Sequence, residues 1–157
     1  GIQAMDMLGR KLGMKKGQLV MDIMGKISET VEQAKATEGL EDHAARVEEA
    51  MNKMGEVAMH LGKTAMSEKV MHAFSYAYPL MEVFGDVMLS WMLLWRAVIA
   101  KQALAKAKKK DLAFYEGQVK TMEFFVYTVL PATLGKMNAI QTTNGAAVEI
   151  DEASFIG

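Results

Sequence analysis

The sequence predicts an all-α protein: an up-down four-helix bundle, preceded by the last turns of another helix and followed by an extended tail. Three observations carry this. The 157 residues contain 2 prolines, too few for a loop-rich β protein. Apolar residues recur at three- and four-residue steps over the long segments, the repeat of an amphipathic helix. The connections between those segments are short, which makes neighbouring helices antiparallel. With 51% hydrophobic residues, the chain suits one compact domain with a core of its own.

Residues 1–12 read as the end of a helix, loosened by Gly9 and Gly13, with Lys11 set against the negative end of its dipole. Gly13-Met14-Lys15-Lys16-Gly17 reads as a linker. The first long helix is expected over about 17–37, with Val20, Ile23, Met24, Ile27, Val31 and Ala34 on one face. Thr37-Glu38-Gly39 ends it, because glycine accepts the left-handed conformation of a helix stop. In the second helix Ala44, Val47, Met51, Met54, Ala58, Leu61 and Ala65 have the spacing of a bundle seam. Glu48, Glu49, Lys53, Glu56 and Lys63 occupy its other face. Ser67 and Pro79 bracket a short stretch that reads as a separate turn of helix.

Proline suits a first helical position, where its missing N–H needs no partner, so the third long helix is expected from about Pro79 to Lys109. It is apolar around much of its circumference, at Leu80, Val83, Phe84, Val87, Met88, Trp91, Leu94, Trp95, Val98 and Ile99, which predicts burial against several neighbours. Lys106, Lys108, Lys109 and Lys110 then complete its C-terminus, and Asp111 is expected to cap the fourth helix. That helix runs through Tyr115, Val119, Met122, Val126, Val129, Leu130, Leu134, Met137 and Ile140. Pro131 lies inside it and predicts a kink, at roughly 3 kcal/mol unless packing compensates. Thr142-Thr143-Asn144-Gly145 stops the helix, and Val148, Ile150 and Phe155 of the extended tail are free to dock on a neighbouring surface.

Composition excludes several functions. A net charge of −1 gives no electrostatic footprint for nucleic acid. Without cysteine there is no disulfide, thiolate chemistry or Cys-based zinc site. The residues three before His43, His60 and His72 are Leu40, Val57 and Lys69, so the Glu-x-x-His ligand motif of di-metal bundles is missing and no metal site is expected. The N-terminus has no basic segment leading into an apolar one, which argues against a secretory signal. The most apolar stretch, 87–95, has nine residues between Asp86 and Arg96, against roughly 20 for a membrane span. A cytoplasmic protein is the expectation, with membrane association not expected.

Other constellations have plain structural readings. Glu82 and Asp86 share a face and suit a polar stripe paired with a cation better than an acid–base pair. Arg96 suits an interhelical ion pair. Of the 15 methionines, Met51, Met54, Met88, Met122 and Met137 fall at core spacing. Trp91 and Trp95 suit core or interface packing. The glycines at 9, 13 and 17 fit no phosphate-binding loop.

The opening Gly1-Ile2-Gln3-Ala4-Met5-Asp6-Met7-Leu8-Gly9-Arg10-Lys11-Leu12 resembles a stretch of the flavin-dependent acyl-CoA dehydrogenases, where a Tyr-Glu-Gly-Thr-Asn run precedes such a segment. Tyr78-Pro79-Leu80, Phe84-Gly85, Trp91, Arg96-Ala97, Phe114-Tyr115, Phe124-Phe125 and Leu130-Pro131 look like the appended C-terminal helical domain of the longer members. The resemblance implies three parts: 1–13 as the end of the dehydrogenase core, 14–141 as the appended bundle and 142–157 as the tail. It implies a parent enzyme that oxidises an acyl-CoA to the trans-2-enoyl-CoA with FAD, reoxidised by an electron-transfer flavoprotein. The family's glutamate base would stand just before Gly1, so no catalytic residue is assigned in this chain. Of the flavin contacts only Gly1 and Gln3 carry over, and this stretch alone is not expected to bind FAD. With no initiator methionine, the chain reads as a piece of that longer protein. Its partners would be the core dehydrogenase domain and other subunits of a homo-oligomer. A stand-alone helical module for protein or membrane surfaces, using lysines 106–110, is the rival expectation.

Overall fold

The computed structural model describes residues 1–156, and among them helices are the only regular secondary structure. The chain opens with α1 (Ile2–Gly9), whose Ala4 and Leu8 are buried. The expected linker is instead a 3-10 helix, Lys11–Gly17. Gly17, at φ 82°, turns it into α2 (Gln18–Lys35), in a left-handed conformation that a Cβ disfavours. Gly39, at φ 78°, is the second such turn, and α3 (Glu41–Ala65) follows with Glu41 and Asp42 at the positive end of its dipole. Then come α4 (Val70–Ser75) and α5 (Ala77–Leu104).

The third long helix departs from expectation at both ends. Pro79 is its third residue, still among the first four whose N–H groups have no intrahelical partner. It stops at Leu104, so the lysines at 106, 108, 109 and 110 lie in the connection beyond it. Continued helix would hold Lys106 one turn from both Lys109 and Lys110, a like-charge arrangement that opposes helix. Asp111 stands where the next helix, α6 (Leu112–Phe124), begins, but its side chain makes no capping bond. Asp86 and Arg96 do not interrupt α5 either. Asp86 accepts a hydrogen bond of 2.8 Å from Thr133, and Arg96 donates to Gln118. Among the described residues α5 is therefore the one helix long and apolar enough to cross a bilayer, and part of its surface is the protein's own core.

Pro131 is accommodated rather than simply kinked. The five residues Phe125–Val129 form a π-helical turn between α6 and α7 (Leu130–Thr142). There the Leu130 N–H bonds the Phe125 carbonyl five residues back. The wider turn relieves the ring's clash with the carbonyl four residues earlier. The tail is not extended: it contains α8 (Ala146–Glu149) and a 3-10 turn, Glu152–Phe155. Val148, Ile150 and Phe155 stay exposed. Polar contacts hold the tail, since Tyr76 Oη accepts from the Asn144 N–H at 3.0 Å and His72 lies 3.4 Å from Glu149.

Side-chain pairs give the helix directions. Between α2 and α3, Lys35 meets Glu48, Ser28 meets Met51 and Met24 meets Gly55, an antiparallel register. Between α5 and the last long segment, Arg96 meets Gln118, Asp86 meets Thr133 and Glu82 meets Lys136, also antiparallel. Asp42 meets Tyr127 and His60 meets Thr143, so α3 runs parallel to that last segment. The core between them includes Leu40, Met54, Leu61, Leu80, Leu94, Met122, Leu130, Met137 and Ile140, all buried.

Candidate functional site

Gly1 and Gln3 stand exposed on the first turn of α1. No atom comes within 4 Å of where a Gly1 Cβ would be, and neither residue lines the groove beside α1 described below.

The polar constellations resolve into structural contacts. Glu82 pairs with Lys136 at 3.4 Å across helices. Arg96 finds an amide oxygen, Gln118, rather than the carboxylate of an ion pair. Trp91 Nε1 donates to Thr30 Oγ1 at 2.8 Å, and its ring stacks on Trp95 with centroids 6.4 Å apart. No cluster of three potential metal ligands occurs among the described residues.

A cluster that the sequence does not betray joins the start of α3 to the π-helical turn. The Tyr127 hydroxyl donates to Asp42, whose carboxylate also accepts from Arg46 Nε at 3.0 Å. Arg46 lies 4.5 Å from the Tyr127 ring centroid, and His43 meets that ring edge-on at 5.3 Å. The bond from Tyr127, then the one from Arg46, holds Asp42 below the usual carboxylate range, and the Asp42 bond pushes the Tyr127 hydroxyl up. Both His43 ring nitrogens are buried without a hydrogen-bond partner. About 85 residues separate the partners in sequence, beyond the reach of any local pattern.

Two apolar surfaces remain open. The first is the outward face of α5, where Leu89, Trp95 and Ile99 are exposed by 47%, 45% and 51%. The expected burial of Trp95 and Ile99 fails because α5 has neighbours on its other sides and none described over this one. The second is a groove of about 700 Å³ between α1, the 3-10 helix, α2, α3 and α4. Leu8, Leu12, Val20, Met24 and Phe74 form much of its wall. Ile23 was expected on the buried face of α2 and is exposed, since the first turns of α2 extend past their cover. Met21, Met59 and Met66, methionines outside the core set singled out from the sequence, line it beside Gly55 and Gly62.

Residues 23–151 match the family described as acetyl-CoA dehydrogenase C-terminal like. The chain is similar to the broad-specificity linear acyl-CoA dehydrogenase FadE5 of Mycobacterium tuberculosis, at 29% identity over 98% of this chain and 26% of that protein. It is also similar to two butyryl-CoA dehydrogenases of Syntrophomonas wolfei, at 27% and 24% identity over 99% of this chain and 25% of each. The chain thus spans about a quarter of the length of these curated relatives.

Proposed function

This chain belongs to the acetyl-CoA dehydrogenase C-terminal-like family, and from that premise we propose that it is the C-terminal helical domain of a longer FAD-dependent acyl-CoA dehydrogenase, with a structural role in that enzyme's assembly. The parent would dehydrogenate an acyl-CoA at the α,β bond, a reading supported by the relatives being acyl-CoA and butyryl-CoA dehydrogenases. An electron-transfer flavoprotein would take the electrons. In this reading 1–13 close the core region, with Gly1 and Gln3 at the rim of its flavin site. Residues 14–141 form the appended domain, and 142–157 its tail. The antiparallel registers of α2 with α3, and of α5 with α6 and α7, support reading that domain as an up-down four-helix bundle.

The observation that carries the structural role is the open face of α5. Trp95 and Ile99 leave about half of their surface in water, and burying that half contributes about 1 kcal/mol each. A second subunit seated there would recover it. Aspartate at Trp95 and Ile99 together, in the whole enzyme, is expected to shift its sedimentation to a smaller species with flavin still bound. Unchanged sedimentation would rule out this face as a subunit contact.

The rival reading is a module that lies on membranes. The exposed lysines at 106, 108, 109 and 110, beside exposed Phe114, favour it. Sedimentation with anionic liposomes at low and high salt decides it, because an electrostatic attachment is lost at high salt.

A further inference from the structure

The two ends of the molecule carry opposite charge, and from this we propose that two copies of this chain pack α5 against α5 antiparallel, each copy's C-terminal tail lying on the lysine-rich connection of the other. The proposal rests on α5 being a subunit contact, as above, and adds the partner and its direction. Tyr78, Leu89, Met92 and Ile99, exposed or half-buried, share one face of α5 with Gly85 at steps of three, four and seven. The charged residue within that face, Arg96, is held by Gln118. Met92 stands midway between Gly85 and Ile99. An antiparallel crossing there sets Ile99 of one copy opposite Gly85 of the other, where a Cβ would meet nothing within 4 Å. A two-fold contact requires such self-complementarity.

Charge chooses the direction. Lys106, Lys108, Lys109 and Lys110, just past the C-terminal end of α5, are exposed and have no ion-pair partner among the described residues. The tail is pinned beside the opposite end of α5, where the Asn144 N–H bonds Tyr76 Oη. In it Asp151 and Glu152 are exposed with no cation partner among the described residues, and Ile150, Phe155 and Ile156 leave 49%, 74% and 81% of their surface in water. Asp151 accepts from the Ala153 N–H at 2.8 Å and so orders this turn before it docks, which lowers the cost of docking. A parallel pair of α5 helices sets lysines against lysines. An antiparallel pair sets them against the other copy's acids, with exposed Phe114 beside the tail's apolar residues. One chain cannot make this contact with itself. The 28 residues of α5 span about 42 Å, whereas the chain from Asn144 to Glu152 reaches at most about 29 Å fully extended. The apolar face supplies the binding energy, and the charged ends fix its direction.

The test is zero-length coupling of carboxylates to lysines by a carbodiimide in the whole protein, followed by separation under denaturing conditions and peptide mass spectrometry. The Lys35–Glu48 pair, 2.9 Å apart within one chain, reports that coupling has occurred. A species of twice the single-chain mass is expected, in which the peptide carrying Lys106–Lys110 is joined to the one carrying Asp151 and Glu152. Lys108→Glu with Lys109→Glu is expected to lower coupling at the remaining two lysines at least tenfold. Trp95→Asp with Ile99→Asp is expected to lower the joined product as much, with Lys35–Glu48 coupling unchanged in both variants. Lys35–Glu48 coupling without any loop–tail product overturns the proposal, and if Trp95→Asp with Ile99→Asp still dissociates the protein, α5 remains a subunit contact of another direction. A loop–tail product of single-chain mass, or one that survives the Trp95 and Ile99 substitutions at its original yield, also overturns it. A whole protein that sediments as one chain before any substitution removes the α5 contact and this proposal together.

Discussion

The two ends of the α2–α3 pair use similar residues and finish differently. At the turn end Ile27, Val31, Ala34, Leu40, Ala44 and Val47 are buried, and the Lys35–Glu48 pair lies at the margin. At the far end Met21, Met59 and Met66 are exposed on an open groove, and Leu19 and Ile23 are exposed outside its lining. Helical period brings apolar side chains to a stripe in both places. Only a neighbour opposite the stripe buries it, and α5 supplies one at the turn end. The difference teaches that an amphipathic face states where a partner is wanted, not that the chain contains it.

Truncation is the strongest way to break this comparison. Leu94→Ala, opposite the closed end, is expected to cost about 2–5 kcal/mol in urea unfolding, as cavities in packed cores do. Leu19→Ala at the open end is expected to stay within about 0.5 kcal/mol in the same 157-residue chain. Equal losses would erase the distinction. Next in size is Thr30→Val, which removes the acceptor of Trp91 Nε1 and is expected to cost about 1–3 kcal/mol.

Glycine substitutions sharpen the comparison. Gly39→Ala places a Cβ at φ 78°, where it meets Lys101 Nζ at 3.2 Å, and is expected to cost about 1 kcal/mol. Gly62→Ala adds a Cβ into open groove within a helix and is expected to gain about 0.5–1 kcal/mol. Thermal melts of the two variants should therefore move in opposite directions.

The smallest effect is the pH dependence of the Asp42 cluster. Hydrogen bonds from Tyr127 and Arg46 hold the Asp42 carboxylate below its ordinary range. Its contribution is therefore complete above the ordinary carboxylate pKa of about 3.9 and is lost as pH falls through the lower folded value. Asp42→Asn removes that share, so the acid limb of its stability–pH curve should be shallower below about pH 4 than the parent's. Coincident acid limbs would remove Asp42 from the account.

The contrast also separates what was legible in the sequence from what was not. The start of α2 lies within one residue of expectation because Gly17 marks it with a left-handed conformation that glycine accepts readily, whereas its end falls two residues early, at Lys35, and Gly39 turns the chain four residues later. The seam of α3 was legible at Ala44, Val47, Met51, Met54 and Leu61, all buried, because their spacing is regular. The end of α5 was misplaced because lysines were assigned to the helix's negative pole, where their mutual repulsion opposes further helix. The π-helical turn escaped because a local cost at Pro131 does not specify how the backbone absorbs it. The Asp42–Tyr127 cluster and the groove depend on contacts between distant segments, and the exposure of Trp95 depends on what does not cover it.

Hydrogen exchange along α2, read in the 157-residue chain and in the longer enzyme proposed above, tests most directly whether further polypeptide completes the open end. Amides at 22–26 should exchange at least tenfold more slowly in the whole enzyme than in this chain, while those at 27–35 keep the same rate in both. Equal rates at 22–26 in the two proteins would contradict the account, because the open end would then stay exposed to water in the longer protein as well.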